Sequence, residues 1–212
     1  SVNYAPSPVS KDIAHAGYML AWLSFALSHS WLAGVSMRRR MATVFGPARR
    51  LAYNIIAAVH LFAVFGFGAW AFAGLPRFRL QGWDWTFMTV MAVSGWALVF
   101  LVLRTYDLGK FSGLAQIRAA QPGAAMVVDD EALKTNGFHA YVRHPLYGAV
   151  FLVLWGAAWN DFGLAPAVWG SGYLVIGSRF EERRLQRLHG DAYRTYRKRV
   201  PAFFPYRGKV IK

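Results

Sequence analysis

The sequence predicts an all-α, polytopic membrane protein with about five transmembrane helices and a C-terminal cytoplasmic helix, and three observations carry that expectation. Hydrophobic residues make up 56% of the 212 residues and charged residues only 16%, a balance too apolar for an ordinary soluble fold. Apolar stretches approaching the ~20 residues that a helix needs to cross a hydrocarbon core recur along the chain. Once those stretches are treated as spans, 21 of the 24 Lys and Arg residues fall on one side of the membrane.

Residues 1–10 lack the basic and apolar regions of a cleavable signal peptide and are expected to form a short disordered tail, so membrane entry rests on the first span. That span, residues 13–37, carries His15 near one end and His29-Ser30 near the other, with Arg38-Arg39-Arg40 as its anchor. Gly46-Pro47 breaks the next loop, and Arg49-Arg50 lead into the second span, 51–74, where Tyr53, Asn54 and His60 sit among apolar residues. Pro76 and Gly82 interrupt the connector, and Trp83 and Trp85 fall at headgroup depth, where amphipathic rings are favoured. The third span is 85–103. Residues 104–141 form the longest polar stretch, with Gly109, Gly113, Pro122, Gly123 and the acidic run Asp129-Asp130-Glu131. Its length is that of a lid, a binding element or a mobile linker. Residues 146–159 and 162–177 are shorter apolar segments separated by Asn160-Asp161, a spacing that predicts a tight helical hairpin. Beyond it, Leu185, Leu188, Tyr196 and Val200 recur near helical spacing among arginines, which predicts a helix continuing out of the membrane until Pro201. A single membrane domain over 1–212 is expected.

The net charge of +14 would fit a nucleic-acid binder, but the position of the charge decides otherwise. Only Lys11, Arg77 and Arg79 lie on the minority side. The asymmetry places the N-terminus outside and the C-terminus in the cytoplasm of an inner or plasma membrane, with membrane lipids, and no nucleic acid, as partners. The chain has no cysteine, which excludes a disulfide framework, a thiolate nucleophile and a Cys-based metal site. No metal site is expected.

The chemistry concentrates at Arg143-His144-Pro145, just before the hairpin, and at Glu181-Glu182, just after it. Proline lacks an N–H and disfavours a helical residue before it, so His144 is expected to be extended and a helix to start at about Pro145. The free N–H groups of that start favour an anion, and Arg143 adds a cationic fork. Glu181 and Glu182 could meet an ammonium or ribose hydroxyls, so a ligand carrying both charges of an amino acid suits such a pocket. The same residues also fit a structural ion bridge, with Arg143 reaching lipid phosphates and pairing with Glu181 or Glu182.

The run Leu133 to Gly148, with Gly137, Tyr141, Arg143-His144-Pro145, Tyr147 and Gly148, followed by Phe180-Glu181-Glu182, Leu185, Gly190, Tyr193, Tyr196 and Val200-Pro201, resembles the C-terminal half of the integral-membrane methyltransferases. That superfamily includes isoprenylcysteine carboxyl methyltransferase and the phospholipid N-methyltransferases. The resemblance implies a cofactor-binding half at 133–205 that holds S-adenosylmethionine without a Rossmann domain, and no G-x-G-x-x-G run is present. It implies cofactor-binding roles for Gly137, His144, Pro145, Tyr147, Gly148, Glu181 and Glu182, and catalytic roles for Arg143 and Glu182. Phe138 stands where the family often has tyrosine. In the N-terminal half, His29-Ser30, Arg50 to Tyr53 and Tyr106 to Arg118 are similar to the methanethiol S-methyltransferase branch, and in part to NnrU-type membrane proteins. The first implies methyl transfer to a small or lipid-like acceptor, a thiol by the chemistry of that branch; prenylcysteine carboxyls and phospholipid amines are the alternatives within the superfamily. The second implies a haem-binding protein of the carotenoid-isomerase type, with His29 and His60 as iron ligands.

Overall fold

The computed structural model describes residues 10–75, 80–119 and 132–207. The N-terminal tail up to residue 9, Pro76, Arg77, Arg79, Pro122, Gly123 and the acidic run at 129–131 lie outside the described residues. The described residues contain no strand, and the helices are α1 (Lys11–Leu32), α2 (Val35–Phe45), α3 (Arg49–Ala71), α4 (Gly82–Leu103), α5 (Leu108–Ser112), α6 (Leu114–Ala119), α7 (Pro145–Gly156) and α8 (Asp161–Arg199). The all-α class is as expected. The chain folds as two compact units, one containing α1 to α3 with α5 and α6, the other α4, α7 and α8.

In the first unit α1 starts at Ser10, whose hydroxyl accepts from the Ile13 N–H at 3.4 Å. Ala14, Tyr18, Trp22 and Phe25 recur at helical spacing and form its buried face. Edge-to-face contacts, Tyr18 with Phe72 at 5.9 Å and Trp22 with Phe65 at 5.8 Å, join α1 to α3 and its end. The expected first span ends early, because Gly34 takes an extended conformation and starts α2 afresh. The polar stretch after α4 is also less loop-like than its composition predicts. Asn54 on α3 donates to the Phe111 and Ser112 carbonyls at 3.0 and 3.1 Å, satisfying the open end of α5.

The run Val35–Ala71, containing α2 and α3, and α4 are each long and apolar enough to cross a membrane. Only 11% of each apolar window is buried inside the protein. A core helix of a soluble fold would be mostly covered, whereas here Phe62, Trp83, Val93 and Trp96 face outward, as lipid-facing residues do.

In the second unit α4 and α7 meet backbone to backbone at small residues. A Cβ on Gly95 would lie 2.6 Å from the Val153 nitrogen, and one on Gly156 would strike Ala92. Without a hydrophobic force between helices in lipid, such close approach is what holds them together. The hairpin expected at Asn160-Asp161 is present: Asn160 Oδ1 accepts from the Gly163 N–H at 2.8 Å and caps α8. The helix expected after the membrane segment is interrupted, because Gly190 has φ 54° and ψ −125°. Glu182 and Arg197, 15 residues apart, would be separated by roughly 22 Å along a straight helix. Their side chains instead lie 3.3 Å apart, so α8 doubles back at Gly190.

Candidate active site

The site is built where the chain before α7 meets the chain after α8. The Arg143 N–H donates to the Pro201 carbonyl at 2.8 Å and the His144 N–H to the Ala202 carbonyl at 2.9 Å. The strap from Val200 to Phe204 therefore runs alongside the entry to α7. His144 precedes proline, stays out of the helix at φ −124° and ψ 68°, and leaves α7 to begin at Pro145, as its sequence predicts.

Glu182 is the hub. Its Oε1 accepts from Arg143 Nε at 2.8 Å and Nη2 at 2.7 Å, and lies 3.1 Å from His144 Nε2. Its Oε2 lies 3.3 Å from Arg197 Nε. The Glu182 side chain is 10% exposed. Burial alone would raise its pKa, but the hydrogen bonds from His144 and Arg143 outweigh it and hold the carboxyl down at about 2. Arg143 spends its remaining nitrogen, Nη1, on the Val200 carbonyl and, at 3.2 Å, the Arg197 carbonyl at the end of α8. The guanidinium thus ties the entry of α7 to both limbs of α8.

Glu181 extends the cluster outward. His144 Nδ1 lies 3.5 Å from its Oε2, and its side chain is 44% exposed. Burial works against the imidazolium, yet hydrogen bonds to Glu181 and Glu182, with their charges, raise the His144 pKa above its usual value. Burial likewise works against Glu181, but its bonds with His144 and Tyr147 and the nearby Arg184 hold its pKa below the usual value. The His144 ring stacks on Tyr147 at 5.3 Å with only 8° between the planes.

Of the residues singled out in the sequence, Arg143, His144, Tyr147, Glu181 and Glu182 converge. Pro145 starts α7 beside them. Gly148 has a packing reason: a Cβ there would lie 2.5 Å from the Phe203 carbonyl oxygen, so the strap can approach α7 only at glycine. Gly137 opens the 3₁₀ turn Gly137–Ala140 that leads into Arg143. Arg197 and the strap residues Ala202 to Phe204 were not singled out, and Tyr193 and Val200-Pro201 entered only through the resemblance, with no role at the site. The signals present were Gly190 inside a helical pattern and Val200-Pro201 after it. A cleft of about 350 Å³ runs along Arg143, Arg197, Lys198 and the strap. That is within the ~300 to 1,000 Å³ usual for small-molecule sites.

In the first unit, His29 and His60 meet hydroxyls. Tyr53 Oη is 2.8 Å from His29 Nε2, and Ser24 and Ser28 Oγ are 3.1 and 3.0 Å from the two ring nitrogens of His60. Among the described residues no group of three or more His, Asp or Glu is arranged to hold a metal ion.

No family model and no solved structure matches the chain. Curated relatives do. Methanethiol S-methyltransferase 1 of Bradyrhizobium diazoefficiens is 30% identical over 202 residues, covering 91% of this chain and 67% of that protein. Methanethiol S-methyltransferase of Crocosphaera subtropica is 28% identical, covering 87% of this chain and 72% of that protein. The protein-S-isoprenylcysteine O-methyltransferase of Schizosaccharomyces pombe is 33% identical over 119 residues, about half of each chain. With similarity running through both halves and an ion cluster assembled from the expected motifs, the chain belongs to the methanethiol S-methyltransferase family of membrane methyltransferases.

Proposed function

We propose that this protein transfers a methyl group from S-adenosylmethionine to a small thiol such as methanethiol, with the donor held at the cluster around His144, Tyr147, Glu181 and Glu182. The observation that carries the reading is the convergence of two carboxylates, an imidazole and two guanidinium groups at the start of α7. This donor set suits a zwitterion. It also contains a buried hydroxyl, on Tyr193, with no hydrogen-bond partner among the described residues. The names of the relatives supply the methyl chemistry and the thiol.

When bound, S-adenosylmethionine supplies a methyl carbon on a positively charged sulfur. The work of the chain is to bind, orient and exclude water, because an in-line displacement depends on holding the reacting atoms ~3 to 3.5 Å apart and aligned. Pro145 and Gly148 fix the start of α7, whose open N–H groups favour an anionic group. The His144–Tyr147 stack gives the site a rigid wall. Glu181, with its exposed carboxylate, is placed to meet the donor's ammonium. Glu182 acts through others, by positioning Arg143, His144 and Arg197. Arg143 is a fixed positive charge near the reacting end, and its field favours the thiolate over the thiol and so raises the nucleophile's population at neutral pH.

The asymmetry of basic residues supports an N-terminus outside and a C-terminus in the cytoplasm, which is where the donor is made available. Thermal unfolding with and without S-adenosylmethionine, followed by labelled-methyl transfer to thiols, prenylcysteines and lipid amines, tests the reading. Stabilisation and labelling of a small thiol are expected. Failure of the donor to stabilise the protein contradicts the donor assignment, and labelling of amines in place of thiols contradicts the acceptor.

A further inference from the structure

The doubling back of α8 delivers a residue whose chemistry the site above leaves unused. Tyr193 lies three residues beyond Gly190 and is 1% exposed, packed with Tyr196, Val200, Leu133 and Leu185. Tyr196, one turn further on, donates its hydroxyl to the His139 carbonyl at 2.7 Å. The Tyr193 hydroxyl has no partner among the described residues. A buried hydroxyl without a partner is a cost that phenylalanine, equally good for the apolar packing, would avoid. Such a group marks a place where something else completes the bond.

The surroundings define what that is. Burial first, and then the charge of Glu182, push the Tyr193 pKa up to about 12, so the hydroxyl stays protonated and acts as a donor. Glu182 acts on the hydroxyl through its charge but makes no hydrogen bond with it, its oxygens meeting Arg143, His144 and Arg197 instead. Glu181 acts on the hydroxyl in the same sense as Glu182, and the guanidiniums of Arg143 and Arg197, both of which line the cleft, act in the opposite sense. Arg197 is half exposed and touches Glu182 through Nε. A hydrogen-bond acceptor entering between a protonated phenol and guanidinium groups is best satisfied as an anion.

We infer that Tyr193 is a donor-binding residue whose hydroxyl, together with Arg197, holds the carboxylate at the amino-acid end of the methyl donor. The inference rests on the S-adenosylmethionine reading and goes further, by assigning the carboxylate to residues brought into place by the Gly190 reversal.

The test uses S-adenosylhomocysteine and 5′-methylthioadenosine, which lacks the amino-acid carboxylate, titrated calorimetrically into the full-length protein and its Tyr193→Phe variant. Thermal unfolding of both proteins without ligand accompanies the titrations. The variant should bind S-adenosylhomocysteine about tenfold more weakly, equivalent to about 1.4 kcal/mol. It should bind methylthioadenosine as the unaltered protein does, and its ligand-free melting temperature should be equal or higher. Tyr196→Phe, which removes a made hydrogen bond, should instead melt lower. S-adenosylhomocysteine affinity unchanged in Tyr193→Phe overturns the inference alone. Equal losses for both ligands with a lower melting temperature also overturn it, by showing a structural role. Failure of the unaltered protein to bind S-adenosylhomocysteine overturns the donor reading itself.

Discussion

Replacing Glu182 by glutamine removes the charge on which Arg143, His144 and Arg197 converge while keeping size and one acceptor oxygen. The magnitude follows in two ways. A carboxyl held at about 2 in the folded protein, against 4.5 in the unfolded chain, corresponds to roughly 3 kcal/mol of stability at neutral pH. Removing one partner of a buried ion pair costs about 3 to 5 kcal/mol, and here the lower end applies, because Arg143 keeps its bonds to the Val200 and Arg197 carbonyls. For a chain of this size, about 3 kcal/mol lowers the melting temperature by roughly 6 to 12 °C. The assay is thermal unfolding in detergent, with Glu181→Gln as the control. The Glu181 side chain is 44% exposed against 10% for Glu182, so that change should cost under about 1 kcal/mol. Because the folded pKa is depressed, the stability is present above the unfolded value and is lost as pH falls towards 2. The two proteins should therefore converge in strong acid. A Glu182→Gln variant that melts with the unaltered protein at neutral pH would refute the idea that this carboxylate joins α7 to the two limbs of α8.

Gly190→Ala has open space around its added Cβ, so its cost is conformational, about 1 to 3 kcal/mol for an alanine forced to φ 54°. It should lower both the melting temperature and the affinity for S-adenosylhomocysteine, read by unfolding and calorimetry. Gly148→Ala should drive the Phe203 carbonyl off α7 and destabilise the strap by an amount typical of overpacking, about 1 to 3 kcal/mol in an unfolding assay. The His144 pKa is raised, so its contribution is full below the unfolded value of 6.5 and is lost as pH rises through the folded one. Stability should fall across that window, and His144→Phe should flatten the profile. In this cysteine-free chain, Ser10→Cys should react with a membrane-impermeant thiol reagent from outside intact cells and Lys198→Cys should not.

The local features of the site were legible in the sequence because they depend on near neighbours. Proline after His144 sets the start of α7 by sterics alone, and Asn160 after an apolar run is a helix cap wherever it occurs. The pairing of Arg143 with Glu182 was legible only as one of two readings, because ion bridge and ligand pocket use the same residues. In the structure the carboxylate Glu182 is taken up by its own chain, while Glu181 keeps solvent access. The reversal of α8 was hidden. Leu185, Tyr196 and Val200 keep helical spacing on both sides of Gly190, so periodicity alone reads straight through a turn made by one residue. With the reversal went Arg197 and Tyr193, which look like surface and core positions of a straight helix. The break at Gly34 was hidden for the same reason, since apolar residues continue past it.

The most direct measurement is methyl transfer itself. Purified protein in lipid nanodiscs, given S-adenosylmethionine and methanethiol, should release dimethyl sulfide detectable by gas chromatography, and S-adenosylhomocysteine should accumulate in equal amount. Release that is absent from the intact protein, while S-adenosylmethionine is bound and the protein is folded, would contradict the account.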